Sequence, residues 1–139
     1  MATATTHPTA PNPDNARATS SVAAKAMIRL AAQWGLTEVQ LATLMSLSVP
    51  TIQRWKKQVR ASGQLATTLG PDTLDRISYL LGIYKALHLL FSDDDQANGW
   101  IKRANSNPTF AGITPLDYML QGHMHHLSHV RRHLDGWRG

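Results

Sequence analysis

Apolar positions recur at three- and four-residue intervals along most of the chain, and no stretch alternates as a strand would. The pattern predicts an all-α protein. Ala24, Met27, Ile28, Ala31 and Trp34 form the first stripe, predicting a helix from Ser21 to Trp34 that Gly35 ends in a left-handed cap. Thr37 and Gln40 have the spacing of a capping box, in which each side chain satisfies a free backbone N–H of the first turn. The helix they start is broken by Ser46-Leu47-Ser48. Ser48 then caps a third helix, with Pro50 in its first turn, where no N–H is missed, and Ser62-Gly63 near its end. From Pro71 a longer helix runs to about Phe91, with Leu74, Ile77, Leu81, Tyr84, Leu87 and His88 on one stripe. Ser92 followed by Asp93, Asp94 and Asp95 marks the next start, since a cap and acidic residues both suit the positive end of the helix dipole. That helix carries Trp100 and Ile101 and fades near Asn105. Thr114-Pro115 opens a short segment that Gly122 ends, and a last helix runs from about His123 to Leu134.

This organisation divides the chain into four parts. Residues 1–19, rich in Thr, Ala, Pro and Asn, have almost nothing to bury and are expected to be a disordered arm. Residues 20–68 form a helix-turn-helix region, 69–92 a connecting core helix, and 93–139 a small C-terminal helical domain.

The helix-turn-helix reading rests on Leu41 to Trp55. Leu41, Leu44, Leu47, Ile52 and Trp55 face a shared core at helical spacing, and Ala42 is small enough for two helices to cross closely. The second helix is then left to present Ser48, Pro50, Thr51, Gln53, Arg54 and Lys57, mostly near its N-terminus, where a recognition helix meets DNA. Thr51 and Gln53 can hydrogen-bond bases or phosphates, and the Arg54 fork suits a guanine or a phosphate. Charge supports this. The net charge is +5, no acidic residue lies between Glu38 and Asp72, and Arg54, Lys56, Lys57 and Arg60 crowd together there. An ordinary αα-hairpin with a solvated basic face is the competing reading. Ser46 occupies the turn position where glycine is common, so a left-handed backbone there would carry strain.

The absence of cysteine removes disulfides and thiol chemistry. No apolar run reaches the roughly 18 residues of a membrane span, and the N-terminus lacks the pattern of a secretory signal. A cytoplasmic protein with no membrane partner is expected. No nucleophile triad, phosphate loop or credible carboxylate pair is present, so an enzyme is not expected, nor is a cofactor.

Trp100, Asn105, Pro108, Phe110, Gly112, Thr114-Pro115-Leu116-Asp117, Leu120 and Gly122, with Val130-Arg131-Arg132-His133-Leu134, resemble the toxin-binding domain of the Xre/MbcA/ParS antitoxins. The helix-turn-helix ahead of them is similar to the Xre-like domain of that family. The resemblance covers about Ser21 to Gly139. It implies an N-terminal Xre-like helix-turn-helix bundle followed by a small helical toxin-binding domain. It implies as partners a cognate RES-domain toxin, which consumes NAD or transfers its ADP-ribose, and operator DNA for autorepression. The resemblance also implies that the C-terminal region covers the toxin's active site. Capping and packing chemistry explain Gly112, Gly122, Pro115, Trp100 and Phe110 as scaffold. The contact candidates lie beyond Gly122: His129, Arg131, Arg132, Trp137 and Arg138, of which Arg and Trp are types enriched at binding hot spots. Met124, Leu127, Val130 and Leu134 make an apolar stripe beside them, and the Trp-Arg-Gly end is expected to be flexible enough to enter a cleft.

His125, His129 and His133 share one face of the last helix. Two histidines at that spacing can hold a metal. With no cysteine and no acidic residue on the face, surface or interface histidines are favoured over a metal site. A homodimer is expected, because one recognition helix has a small footprint, with apolar surface on the first and fourth helices such as Met27 or Tyr84 as the contact. The alternative function is a stand-alone helix-turn-helix repressor whose C-terminal domain dimerises.

Overall fold

The computed structural model describes residues 12–137, and these form only helices and turns. In chain order they are α1 Pro13–Trp34, α2 Glu38–Met45, α3 Val49–Ser62, α4 Pro71–Leu90, α5 Asp94–Gly99, α6 Pro115–Met119 and α7 Met124–Trp137, with a 3-10 turn, Trp100–Lys102, directly after α5. None of these helices is long and apolar enough to cross a membrane. The local signals behave as read: Gly35 is left-handed, both halves of the Thr37–Gln40 box form, and Thr114 caps α6 with Pro115 in its first turn.

Three features differ from expectation. First, α1 begins at Pro13, inside the segment expected to be a disordered arm. Asn12 accepts from the Asp14 N–H at 3.0 Å, and Asp14 itself sits at the positive end of the dipole. The helix then has something to hold. Ser20 and Ser21 are buried, and their hydroxyl oxygens accept from the Leu69 and Leu65 N–H groups, both at 2.9 Å, fastening the α3–α4 connection to α1. Residues 1–11 of that arm lie outside the described residues. Second, Asp93 rather than Ser92 caps α5, accepting from the Gln96 N–H at 3.1 Å. Third, the buried face of α4 is wider than the stripe. Ile77 and Leu87 are buried, but Leu74, Leu81, Tyr84 and His88 are half-buried, while Thr73, Arg76, Leu80, Ile83 and Ala86 fill the interior. The helix packs against α1, α2, α5 and α7 together, so no single face describes it.

One continuous core results. Met27, Trp34, Leu44 and Ile52 belong to it, as do Ile83, Leu87, Ile101, Phe110 and Leu134. Arg76 ties the two ends. Its buried guanidinium donates through Nη1 to the Leu44 carbonyl at 3.1 Å and the Gly122 carbonyl at 3.0 Å, and through Nε to Asp72 at 3.0 Å. The end of α2 is thereby joined to the turn before α7.

Candidate functional site

Two surfaces carry the sequence-predicted residues. On the first, α2 and α3 pack together through Leu41, Ala42, Leu44, Ile52 and Trp55, all buried, with Leu47 half-buried against them. Burial of Ile52 and Trp55 fixes the rotation of α3 and turns Pro50, Gln53, Arg54 and Lys57 outward, where all four are exposed. Ser48 is exposed too, but its hydroxyl is engaged as the cap, 3.3 Å from the Thr51 N–H and 2.9 Å from the hydroxyl of half-buried Thr51. Ser46 is left-handed at φ 54°, which costs about 1–2 kcal/mol in a residue with a Cβ.

Sequence reasoning missed the role of Glu38. Its carboxylate accepts from Gln53 Nε2 at 3.0 Å and from Lys56 Nζ at 3.4 Å, stapling the start of α2 to α3. The Gln53 hydrogen bond first, then Lys56, hold Glu38 below the ordinary carboxylate range. Of the basic run, Lys56 is therefore paired, whereas Arg54 and Lys57 have no partner among the described residues.

The second surface is C-terminal. Trp100, Phe110 and Leu116 are buried as scaffold, and the loop before α6 turns through Ala111 at φ 51° and Gly112 at φ 89°. Trp100 lies edge-on to Phe110 with ring centroids 5.9 Å apart and stacks on His133 at 6.1 Å; Phe110 meets Tyr118 edge-on at 5.5 Å. Against this block α7 lays its apolar stripe. Leu127, Val130 and Leu134 are fully buried and α7 packs along α4, so the stripe expected beside the contact residues belongs to the protein's own core. Nor is Trp137 part of a loose end, since α7 continues through it. Trp137 is nonetheless 57% exposed, its ring 6.2 Å from that of Phe91.

The other candidates fall out unevenly. Arg132 is exposed and lines an open cleft with Thr109, His129 and His133. His129 is held by Tyr118, whose hydroxyl lies 2.6 Å from Nδ1. Arg131 is half-buried, paired with Asp135 at 3.0 Å, and its guanidinium lies across Gly82, where any Cβ on α4 would collide with it. Arg138 lies outside the described residues.

The histidines form a cluster at the start of α7. The His125 and His126 ring centroids are 4.0 Å apart, His123 is 5.6 Å from His125, His129 is 5.4 Å from His125, and Tyr118 meets His126 edge-on at 4.8 Å. No ion pair joins a carboxylate to any of the four among the described residues, and no group of three or more His, Cys, Asp or Glu there is arranged to hold a metal. His126 is only 6% exposed and its Nδ1 has no partner. Burial, reinforced by the charges of His125 and His123, pushes it below the ordinary histidine range. The fold therefore favours neutral His126, while the unfolded chain protonates it near pH 6.5. Its contribution to stability is complete above about pH 6.5 and is lost as pH falls through that value toward the folded one. Melting temperatures measured between about pH 7.5 and 5.5 should fall on acidification, and less so in His126→Leu. Equal slopes in the two proteins would contradict this assignment.

Residues 14–82 match the model of the antitoxin Xre-like helix-turn-helix domain, and residues 86–139 that of the antitoxin Xre/MbcA/ParS C-terminal toxin-binding domain. The join falls inside α4. The chain is also 38% identical, over 130 residues, to the uncharacterized protein y4oB of Sinorhizobium fredii (strain NBRC 101917 / NGR234), a match spanning 93% of this chain and 92% of that protein. With its two domains matched in order and its motif residues built into the fold, the chain belongs to the Xre/MbcA/ParS antitoxin family, pairing a helix-turn-helix domain with a C-terminal toxin-binding domain.

Proposed function

We propose that this antitoxin neutralises a cognate RES-domain toxin by covering its active site with the C-terminal domain, and represses its own operon through α3, both in the cytoplasm. The observation that carries the reading is the division of labour within the matched toxin-binding span. Trp100, Phe110 and Pro115 go into the core, whereas Arg132 and Trp137 stay exposed and half-buried His129 borders the same cleft as Arg132. Arg131 contributes by bracing α7 on α4, and Arg138 is proposed as a further contact. Co-expression of the tagged chain with a candidate cognate RES-domain protein is the test. Stoichiometric co-purification is expected. A chain that binds its upstream DNA yet retains no such protein would leave the stand-alone repressor reading instead.

On the DNA side, Ser48, Pro50, Thr51, Gln53, Arg54 and Lys57 form the proposed contact. Ser48 acts by capping α3, and Gln53 must exchange its bond to Glu38 for one to DNA. Arg54→Ala should cost about 1–3 kcal/mol at the operator if the fork reads a base, whereas Lys57→Ala should weaken all sequences alike. Gel shifts across a salt series measure both. Unchanged binding in the folded double variant would refute the contact.

Two copies are proposed to bind together. Met27, an expected contact, is fully buried and unavailable, while Tyr84 is half-buried beside Gln33. The better surface is an apolar groove of about 440 Å³ formed by Ala18, Thr19, Val22, Ala23 and Ala26 of α1 with Leu81 of α4, where Val22 is 66% exposed. Val22→Asp is expected to convert a dimer into a monomer in light scattering. A variant that remains dimeric would move the interface elsewhere.

A further inference from the structure

We infer that the cleft between the loop ahead of α6 and the outer face of α7 is a socket for a carboxylate presented by the toxin, an Asp or Glu side chain set beside an apolar one. The inference rests on the antitoxin reading above and specifies the chemistry of its contact. The cleft holds about 430 Å³, is open to solvent, and is lined by Thr109, His129, Arg132 and His133, with no acidic residue among them.

Both lining histidines are held from behind. Tyr118 engages Nδ1 of His129, which leaves Nε2 for a ligand; with the hydroxyl donating, the ring hydrogen sits on Nε2, where it can be donated to an oxygen. His133 is gripped by Trp100, stacked at 6.1 Å, and by Phe110, edge-on at 5.4 Å. The motif aromatics therefore do more than fill the core, because they fix the His133 ring at the cleft. Arg132 supplies the fixed charge, and its planar fork matches the two oxygens of a carboxylate. Ring packing continues from His133 to Trp137 at 6.0 Å, and Trp137, Phe91 and Leu90 line an adjoining apolar hollow. A polar socket beside an exposed tryptophan has the composition of an interface hot spot.

A nucleic-acid phosphate is the competing occupant, and the charge distribution argues against it. Polyanion binding uses rows of cations, and this cleft has one fixed cation flanked by imidazoles. Burial also pushes His133 below the ordinary histidine range. Arg54 and Lys57, unpaired among the described residues, stand instead on α3.

The test measures binding of the purified full-length chain, and of its Arg132→Glu variant, to the cognate RES-domain protein and to upstream DNA. Arg132 is exposed, so the variant is expected to fold, and circular dichroism verifies it. The expected result is at least a roughly tenfold weaker complex with the RES-domain protein, a smaller loss in Arg132→Lys, and unchanged DNA binding. Restoration by an acidic-to-arginine change in the toxin would identify the carboxylate. Undiminished toxin binding by Arg132→Glu would overturn the socket while leaving the antitoxin reading intact. Loss of DNA binding with toxin binding retained would reassign the cleft to nucleic acid. Failure of the wild-type chain to bind the RES-domain protein would remove the proposed RES-toxin partner, and the socket with it.

Discussion

Trp100→Ala should lower the stability of the chain by about 3–5 kcal/mol, the cost of emptying a large buried aromatic site. The indole is 6% exposed and touches rings from three directions: Phe110 of the loop before α6, and His133 and Trp137 of α7. No neighbour can collapse into the space without giving up its own packing. On a domain of this size the loss corresponds to a melting temperature lower by roughly 10 °C or more. Because the core is continuous from α1 to α7, the helix-turn-helix half should melt together with the C-terminal half in a single transition. A variant melting within a few degrees of the wild type would show that the aromatic block is not the anchor described here.

Arg76→Met should cost about 3 kcal/mol, from the loss of charge-assisted hydrogen bonds and the exposure of two carbonyls to an apolar group. The carbonyls are those of Leu44 and Gly122, and Gly122, at φ 92°, turns the chain into α7. Asp72, by contrast, has a largely exposed side chain, so Asp72→Asn should change stability by no more than about 1 kcal/mol. Arg76→Lys restores the charge but not the fork and should recover only part of the loss. Chemical denaturation of the four proteins measures the ordering. If Asp72→Asn proves as damaging as Arg76→Met, the ion pair rather than the carbonyl clasp is what matters.

The parts of this structure that could be read in advance are those whose physics closes within four residues. The Thr37–Gln40 box, the Ser48 cap with Pro50, and the Thr114 cap with Pro115 are each complete in one helical turn. They place α2, α3 and α6 without reference to anything distant. Side chains that act at long range left no such signal. Arg76 reaches carbonyls 32 and 46 residues away, and Ser20 and Ser21 bind amides 49 and 44 residues away. In sequence these are an ordinary charged residue on a helix and two small residues beside a Pro- and Thr-rich arm. Periodicity has a related blind spot. It correctly marks Leu127, Val130 and Leu134 as one face of α7, but a face that must be covered does not state its cover, and here it is α4. For the candidate site, Arg132 and Trp137 were legible as types favoured at interfaces. Thr109 and Tyr118 were not, since a loop hydroxyl and a tyrosine eleven positions before His129 acquire their roles only when the loop and α6 fold against α7.

The proposed role of this chain is to silence a toxin that breaks the bond between nicotinamide and ribose in NAD, a step common to NAD consumption and ADP-ribose transfer. Nicotinamide release from NAD by a cognate RES-domain toxin, assayed in a cell extract that supplies any acceptor and titrated with the full-length chain, measures this. Release should fall in proportion to added chain and reach the background level at saturation. Nicotinamide release that is unaffected by excess folded chain would contradict the account.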